Sequence, residues 1–492
     1  MKRKLTAVIA IALAIILVAG VFTFSKGRNS NSWNLAQFKA QKIKWRSCND
    51  GYECGSFLVP IDYENLSLGT FKIQVLRHRA NLISKRLGSI VVNPGGPGGS
   101  GVDFAYNAEN ILSKAINDKY DVVGFDGRGV GTSDPIRCLG DKEEDAYLNI
   151  DGEASNPAQL NALIKASKDF VAACAKAAGS KLGHISTLEN AKDMEVLRNL
   201  LQETKLNYLG KSYGTYLGAT YISLYPEKVG KFVLDGAIDP NISIGEQNLN
   251  QAESFEKAFD NYLTSNKEFS KLQIQNFIIN AGKTPLKNKA GRELTRSLVI
   301  TALAASLYDN QEGWKSLKAG LDDAITNSKP NILFSIADDY NNRDTKGHFY
   351  NNQNDIGIAI NCSDWQPEKS LTVLKNAALR YVKVSPTFGP YIGYSGLTCL
   401  YWPAKVKQPN LPFKNVKSPP FLIIGVTKDP ATPYEWAVGL AQEFPSSTLL
   451  TYVGEGHTGQ NRGDNCTDSK VDQYFLHGIL PSAGTQCVSG GN

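Results

Sequence analysis

Short apolar runs recur along the chain, each closed by a loop rich in glycine, proline or aspartate. Between them lie longer stretches whose apolar residues fall three and four apart. SFLVPIDY at 56–63 and FKIQVLRHRA at 71–80 read as strands. So do the apolar openings of 88–101 and 120–135, the run Leu206 to Leu209, and the openings of 231–240, 420–433 and 447–459. The segment 187–203 is amphipathic, with Thr187 as a candidate N-cap. Strands that alternate with helices predict an α/β fold, with a mostly parallel sheet covered by helices on both faces.

Two stretches break the alternation. Residues 138–186 separate a strand from the helix expected after it. Residues 241–402 are longer, carry helical runs such as TRSLVITALAASLY at 295–308, and show few strand signals. The second stretch is expected to be a mostly helical cap over the carboxyl ends of the strands, where open parallel sheets place their sites. The organisation expected is a leader at 1–24, a polar linker at 25–41, the first part of the core at 42–240, the cap at 241–402, and the rest of the core at 403–492.

The leader changes how the charge is read. Lys2, Arg3 and Lys4 precede a run without charge at 5–24, the pattern of an export signal. The run is also long enough to span a bilayer, so an uncleaved anchor with its basic end inside is the alternative. The formal charge of +6 falls to +3 once the three leader cations are set aside. That near-neutral balance gives no reason to expect a nucleic-acid partner. A membrane is expected only through the anchor, and the protein is placed outside the cytoplasm, secreted or held at the cell surface.

Eight cysteines follow the leader, and an even count after an export signal favours disulfides. Sequence neighbours suggest Cys48–Cys54, Cys138–Cys174, Cys362–Cys399 and Cys466–Cys487, one of about 105 connectivities that eight cysteines allow. Zinc-type spacing is absent, so neither a metal nor another cofactor is expected.

The chemistry centres on GKSYG at 210–214. A strand that runs into a helix through Gly-x-Ser-x-Gly is the nucleophile-elbow pattern, which makes Ser212 the candidate nucleophile. Of the five histidines, His78, His184, His348 and His477 fall in strands, helices or polar stretches, where a structural or exposed role is expected. His457 follows the last predicted strand, in GEGHTG at 454–459, a loop able to bring an imidazole over the strand ends as the base. Asp429, in GVTKDPATP at 425–433 right after a strand that ends in a loop, completes the order Ser, Asp, His. Asp235, which ends the strand before the cap, is the second candidate acid. An oxyanion needs donors, expected from the backbone N–H of Tyr213 and from Gly95 and Gly96 in NPGGPGG at 93–99. That loop lacks the phosphate-cradle pattern, and Pro94 and Pro97 remove donors from it.

The set NPGGPGGSG, YDVVGFDGRGVGTSDP, GKSYGTYLGATY, VLDGAIDP, DPATPYEWA and GEGHTG resembles the α/β-hydrolase family of secreted prolyl and tripeptidyl aminopeptidases, and most of all its actinobacterial tripeptidyl members. The resemblance runs from about residue 43 to 490. It implies an α/β-hydrolase fold and a cap that closes the site. It also implies catalytic roles for Ser212, Asp429 and His457, and removal of short peptides from the free N-termini of peptides or proteins. NCSD at 361–364 matches a motif of the family's cap. Pro94 stands where the prolyl aminopeptidases have histidine, which argues against release of single prolines. An aminopeptidase needs an anion for the substrate ammonium, and the cap offers Asp338, Asp339, Asp355 and Asp364. An esterase or other small-molecule hydrolase on the same scaffold is the alternative, and a binding module without catalysis is the third reading.

Overall fold

The strands follow from the apolar runs. In chain order they are β1 (Arg46–Asn49), β2 (Tyr52–Pro60), β3 (Thr70–His78), β4 (Gly88–Asn93), β5 (Tyr120–Phe125), β6 (Leu206–Lys211), β7 (Val229–Asp235), β8 (Leu286–Lys287), β9 (Glu293–Leu294), β10 (Phe421–Lys428), β11 (Ser447–Glu455) and β12 (Gln486–Val488). In this computed structural model, residues 33–404, 411 and 413–488 are described. The leader and the first part of the expected linker lie outside them.

All strands but β8 and β9 share one ten-stranded sheet, ordered β1-β2-β3-β5-β4-β6-β7-β10-β11-β12. The seven from β5 to β12 run parallel, and β1–β3 add an antiparallel edge. Alternate residues of each strand feed two different cores. Val91, Tyr208, Phe232, Phe421 and Ile423 pack under helices such as Thr187–Leu200 and Tyr213–Leu224. Val92, Leu209, Val233, Leu422 and Ile424 pack on the other face, towards Asn465–His477. Burial on both faces is why these runs are continuously apolar rather than alternating.

The parallel register aligns the carboxyl ends. Asn93 pairs with Gly210, Lys211 with Asp235, Asp235 with Ile424, and Lys428 with Glu455. The loops carrying the candidate chemistry therefore leave the sheet along one rim.

Between β7 and β10 the described residues are mostly helical and include the β8–β9 hairpin, with long helices at Ile244–Ser265, Arg296–Leu307, Glu312–Asn327 and Leu371–Val384. It has its own apolar core around Phe259, Leu303, Leu321 and Phe388. The shorter stretch after β5 forms the helices Asp141–Leu148 and Pro157–Ala178 and is tied to this one by charge. Arg292 reaches Asp145, and Arg296 reaches Asp151 and Glu153.

The cysteines join as 48–54, 138–174, 362–399 and 466–487, each to its sequence neighbour. Two local expectations are corrected. Residues 33–41 are not a linker. Leu35–Lys39 is a helical turn with a capping box between Asn34 and Gln37, and it buries Phe38. Gln41 ties it to β2 by exchanging hydrogen bonds with the backbone of Leu58. The N-cap of the helix at 187 is Ser186, not Thr187, because the Thr187 hydroxyl turns instead to Asp364.

Candidate active site

Ser212 sits at the junction of β6 and the helix Tyr213–Leu224 with φ 54° and ψ −125°. A non-glycine residue in that region stores roughly 1–3 kcal/mol of strain, so its surroundings must impose it. They do so by close approach. A Cβ on Gly210 would lie 2.4 Å from the carbonyl oxygen of Gly214, and one on Gly214 would lie 2.8 Å from Asn93 Oδ1. The Ser212 N–H donates to the Asp235 carbonyl at 2.9 Å, and the Thr215 hydroxyl donates to the Ser212 carbonyl at 2.6 Å. The serine is left partly open to the rim.

His457 Nδ1 stands 2.9 Å from each carboxylate oxygen of Asp429. Asp429 is wholly buried and the imidazole is a tenth exposed. The carboxylate also accepts the N–H groups of Ala431 and Thr432 at 2.8 Å, and the Thr432 hydroxyl reaches both Asp429 and His457 Nδ1. A carboxylate on one ring nitrogen leaves the other free to take and return a proton.

Asp235 is held differently. Its oxygens accept the N–H groups of Gly459 at 2.7 Å and Gln460 at 3.0 Å, and Lys211 Nζ lies 3.8 Å away. Burial raises the Asp235 carboxyl pKa, and burial lowers that of Lys211. Lys211 in turn donates to the Gln460 carbonyl at 2.8 Å. Asp235 therefore braces the histidine loop from below, and Asp429 is the acid on the imidazole.

The glycine loop after β4 lies against the elbow. A Cβ on Gly95 would come 2.6 Å from the Lys211 carbonyl oxygen and 2.9 Å from Ser212 Cβ, and Gly95 has φ +99°. Its own N–H donates to Asn93 Oδ1 at 2.9 Å. The expectation that Gly95 serves as an oxyanion donor is thus corrected to close approach. The N–H groups of Gly96 and Tyr213 meet no acceptor among the described residues.

Three of the four cap acids are already engaged. Asp338 takes a two-pronged hydrogen bond from Arg292 at 2.6 and 2.8 Å. Asp355 is buried and accepts the N–H groups of Cys138 and Leu139. Asp364 accepts both the N–H and the hydroxyl of Thr187, which also contacts the Tyr213 hydroxyl. Burial pushes the Asp364 carboxyl up to about 7. Asp339 is exposed, and although its backbone carbonyl accepts from Asn342, its carboxylate has no hydrogen bond or ion pair among the described residues. The adjacent Tyr340 ring packs on Tyr308, whose ring meets the His457 imidazole edge-on at 5.1 Å.

The other histidines lie elsewhere. His78 is buried against Tyr52. The carbonyl of His184 accepts from Arg128, His348 pairs with Asp141, and His477 ends its helix. Sequence reasoning missed Thr432 and Tyr308, which meet the imidazole, and Arg462, which donates to the His457 carbonyl. The only local signal was for Thr432, three residues after Asp429.

A family profile described as the alpha/beta hydrolase fold matches residues 88–463. A Mycobacterium tuberculosis protein named serine protease Hip1 is 31% identical over 518 residues, spanning 97% of this chain and 96% of that one. Another from the same organism, named carboxylesterase B, is 33% identical over 477 residues, spanning 91% and 90%. A tripeptidyl aminopeptidase of Streptomyces lividans is 31% identical over 475 residues, spanning 91% and 86%.

Proposed function

The chain belongs to the α/β-hydrolase fold family, and on that footing we propose that it is an exported serine exopeptidase releasing short peptides, three residues long, from free N-termini. The observation that carries the reading is the Asp429 carboxylate on His457 Nδ1, on the same sheet rim as a strained Ser212. The peptidase class is supported by the relatives named serine protease and tripeptidyl aminopeptidase. Export is supported by the basic and apolar leader together with four disulfides.

In this mechanism the Ser212 hydroxyl attacks the scissile carbonyl carbon while His457 Nε2 takes its proton. Asp429 holds the Nδ1 proton and stabilises the imidazolium. The carbonyl oxygen becomes an oxyanion facing the N–H groups of Gly96 and Tyr213, worth about 2.7–4 kcal/mol per donor in comparable sites. Collapse breaks the peptide bond, the leaving amine takes the proton from His457, and the acyl group stays on Ser212. Water, deprotonated by the same imidazole, then releases the acyl peptide. The helical insertion closes one end of the cleft, and the substrate ammonium pairs there with Asp339, the one candidate acid without a partner of its own.

Esterase activity is the second reading, favoured by the relative named carboxylesterase B. A hydrolysis panel of free peptide amides, their N-acetylated forms and short-chain esters separates the two. Loss of a charged hydrogen bond costs about 1.5–3 kcal/mol, so acetylation should lower kcat/KM roughly tenfold to a few hundredfold. Asp339→Asn should abolish that preference for free amines. Equal cleavage of free and acetylated peptides would indicate an endopeptidase, and strong preference for esters an esterase.

A further inference from the structure

We propose that Arg462 is a positioning residue through which the helical insertion holds the His457 imidazole in place, so that seating of the insertion and competence of the base are a single equilibrium. The inference rests on reading His457 as the base.

Both backbone polar groups of His457 are bound. Its N–H donates to the Tyr308 carbonyl at 2.8 Å, and its own carbonyl accepts from Arg462 Nη1 at 3.3 Å. The same Nη1 donates to the Tyr308 carbonyl at 3.3 Å, while Nη2 donates to Asn310 Oδ1 at 2.7 Å. Asp309 lies 3.6 Å from that nitrogen. One guanidinium thus links the histidine to three consecutive residues that follow the insertion helix Arg296–Leu307. Its planar fork suits several acceptors fixed at once, which a single ammonium cannot match. Space is closed as well. A Cβ on Gly456, at φ +92°, would come 2.6 Å from Arg462 Nη2 and 2.8 Å from the Tyr308 carbonyl oxygen.

The core grips this loop at other points. Asp235 holds the N–H groups of Gly459 and Gln460, and Asp429 accepts the Thr458 N–H at 3.3 Å. Thr458 and Asn461 both have φ +66°, a region that non-glycine residues occupy only when held. The main chain of His457 itself is bound on the insertion side. If the insertion shifts, it carries the imidazole relative to Ser212, which is anchored in the elbow. A misplacement of about 1 Å can cost on the order of a hundredfold in rate.

The test uses the full-length protein with a small acetate ester, which has no amine for the cap acids to bind, assayed well below each variant's melting temperature. Arg462→Met should lower kcat roughly ten- to a hundredfold with KM little changed, the mark of a reacting geometry disturbed rather than binding lost. The rate of Ser212 labelling by a fluorophosphonate should fall in parallel. Arg462→Lys should restore only part of the rate. Asn310→Ala, which removes an acceptor on the insertion and leaves the core intact, should also lower kcat, by roughly three- to tenfold. Its effect should largely disappear in the Arg462→Met background, since the two act through one link. Turnover within twofold of the parent in Arg462→Met, or losses that simply multiply in the double variant, would overturn the inference. Ester turnover retained in Ser212→Ala would instead overturn the reading of the triad, and this inference with it.

Discussion

The elbow carrying Ser212 and the loop carrying His457 reach one rim of the sheet under different constraints. At the elbow the conformation is set by the glycines of the motif itself and by the backbone of adjacent strands. At the histidine the constraints arrive from far along the chain. Asp429 is 28 positions away, and Asp235 is 224 positions from the Gly459 whose N–H it accepts. The first carries its sequence signal in five residues, with Asn93, Gly95 and the Asp235 carbonyl closing around them. The second exists only when sheet, loop and insertion are assembled together. The nucleophile is thus held by the sheet and its own motif, whereas the base also depends on the insertion and is the part that the rest of the molecule can tune.

The acids give the largest test of that contrast. Asp429→Asn should keep the fold and cost on the order of 10^4 in kcat/KM, because the amide favours the wrong imidazole tautomer. Asp235→Asn should act mainly on stability. Its amide nitrogen would face a buried backbone N–H, a loss of about 1–3 kcal/mol, with a far smaller effect on rate. Steady-state kinetics beside thermal melts of both variants check the assignment. Equal kinetic losses would erase the difference drawn between bracing and chemistry.

At the elbow the smallest side chain is the requirement. Gly214→Val would drive its Cβ towards Asn93, where a Cβ already stands 2.8 Å from Oδ1 and 3.0 Å from the carbonyl oxygen. Overpacking of this kind costs about 1–3 kcal/mol, and the displaced serine should lose on the order of a hundredfold in rate. Purified Gly214→Val with a normal rate would show that the elbow tolerates what its geometry forbids.

The sheet was legible because its strands are apolar on both faces and end in glycine-rich loops, and Ser212 because its glycines flank it. The order Ser212, Asp429, His457 could be read along the chain. The braces could not. Nothing local marks Arg462 or Tyr308 as neighbours of His457, and nothing distinguished Asp339 from Asp338, Asp355 and Asp364, whose partners are Arg292, the backbone after β5 and Thr187. The helical turn at Leu35–Lys39 was missed because a polar stretch with one buried phenylalanine gives no periodicity. β1 and β12 are short edge strands with exposed positions and carry almost no apolar signal.

A smaller effect concerns Asp364, which ties Thr187 to the residue after the nucleophile. Burial raises its carboxyl to about 7 in the fold, from 3.8. The native state therefore holds a proton that the unfolded chain releases, and its stabilising share is complete below about pH 4 and is lost as pH rises through 7. Asp364→Asn, which imitates the protonated form, should remove up to about 1.4 kcal/mol per pH unit of that decline between pH 4 and 7. Denaturant melts across this range check it. An unchanged slope would mean that Asp364 does not titrate with folding.

Mass mapping of a fluorophosphonate adduct bears most directly on the mechanism. A phosphonyl group on Ser212 alone, absent from Ser212→Ala and formed at least a thousandfold more slowly in His457→Ala, is the expected result. Labelling of another residue, or labelling of Ser212 that proceeds at the same rate without His457, would contradict it.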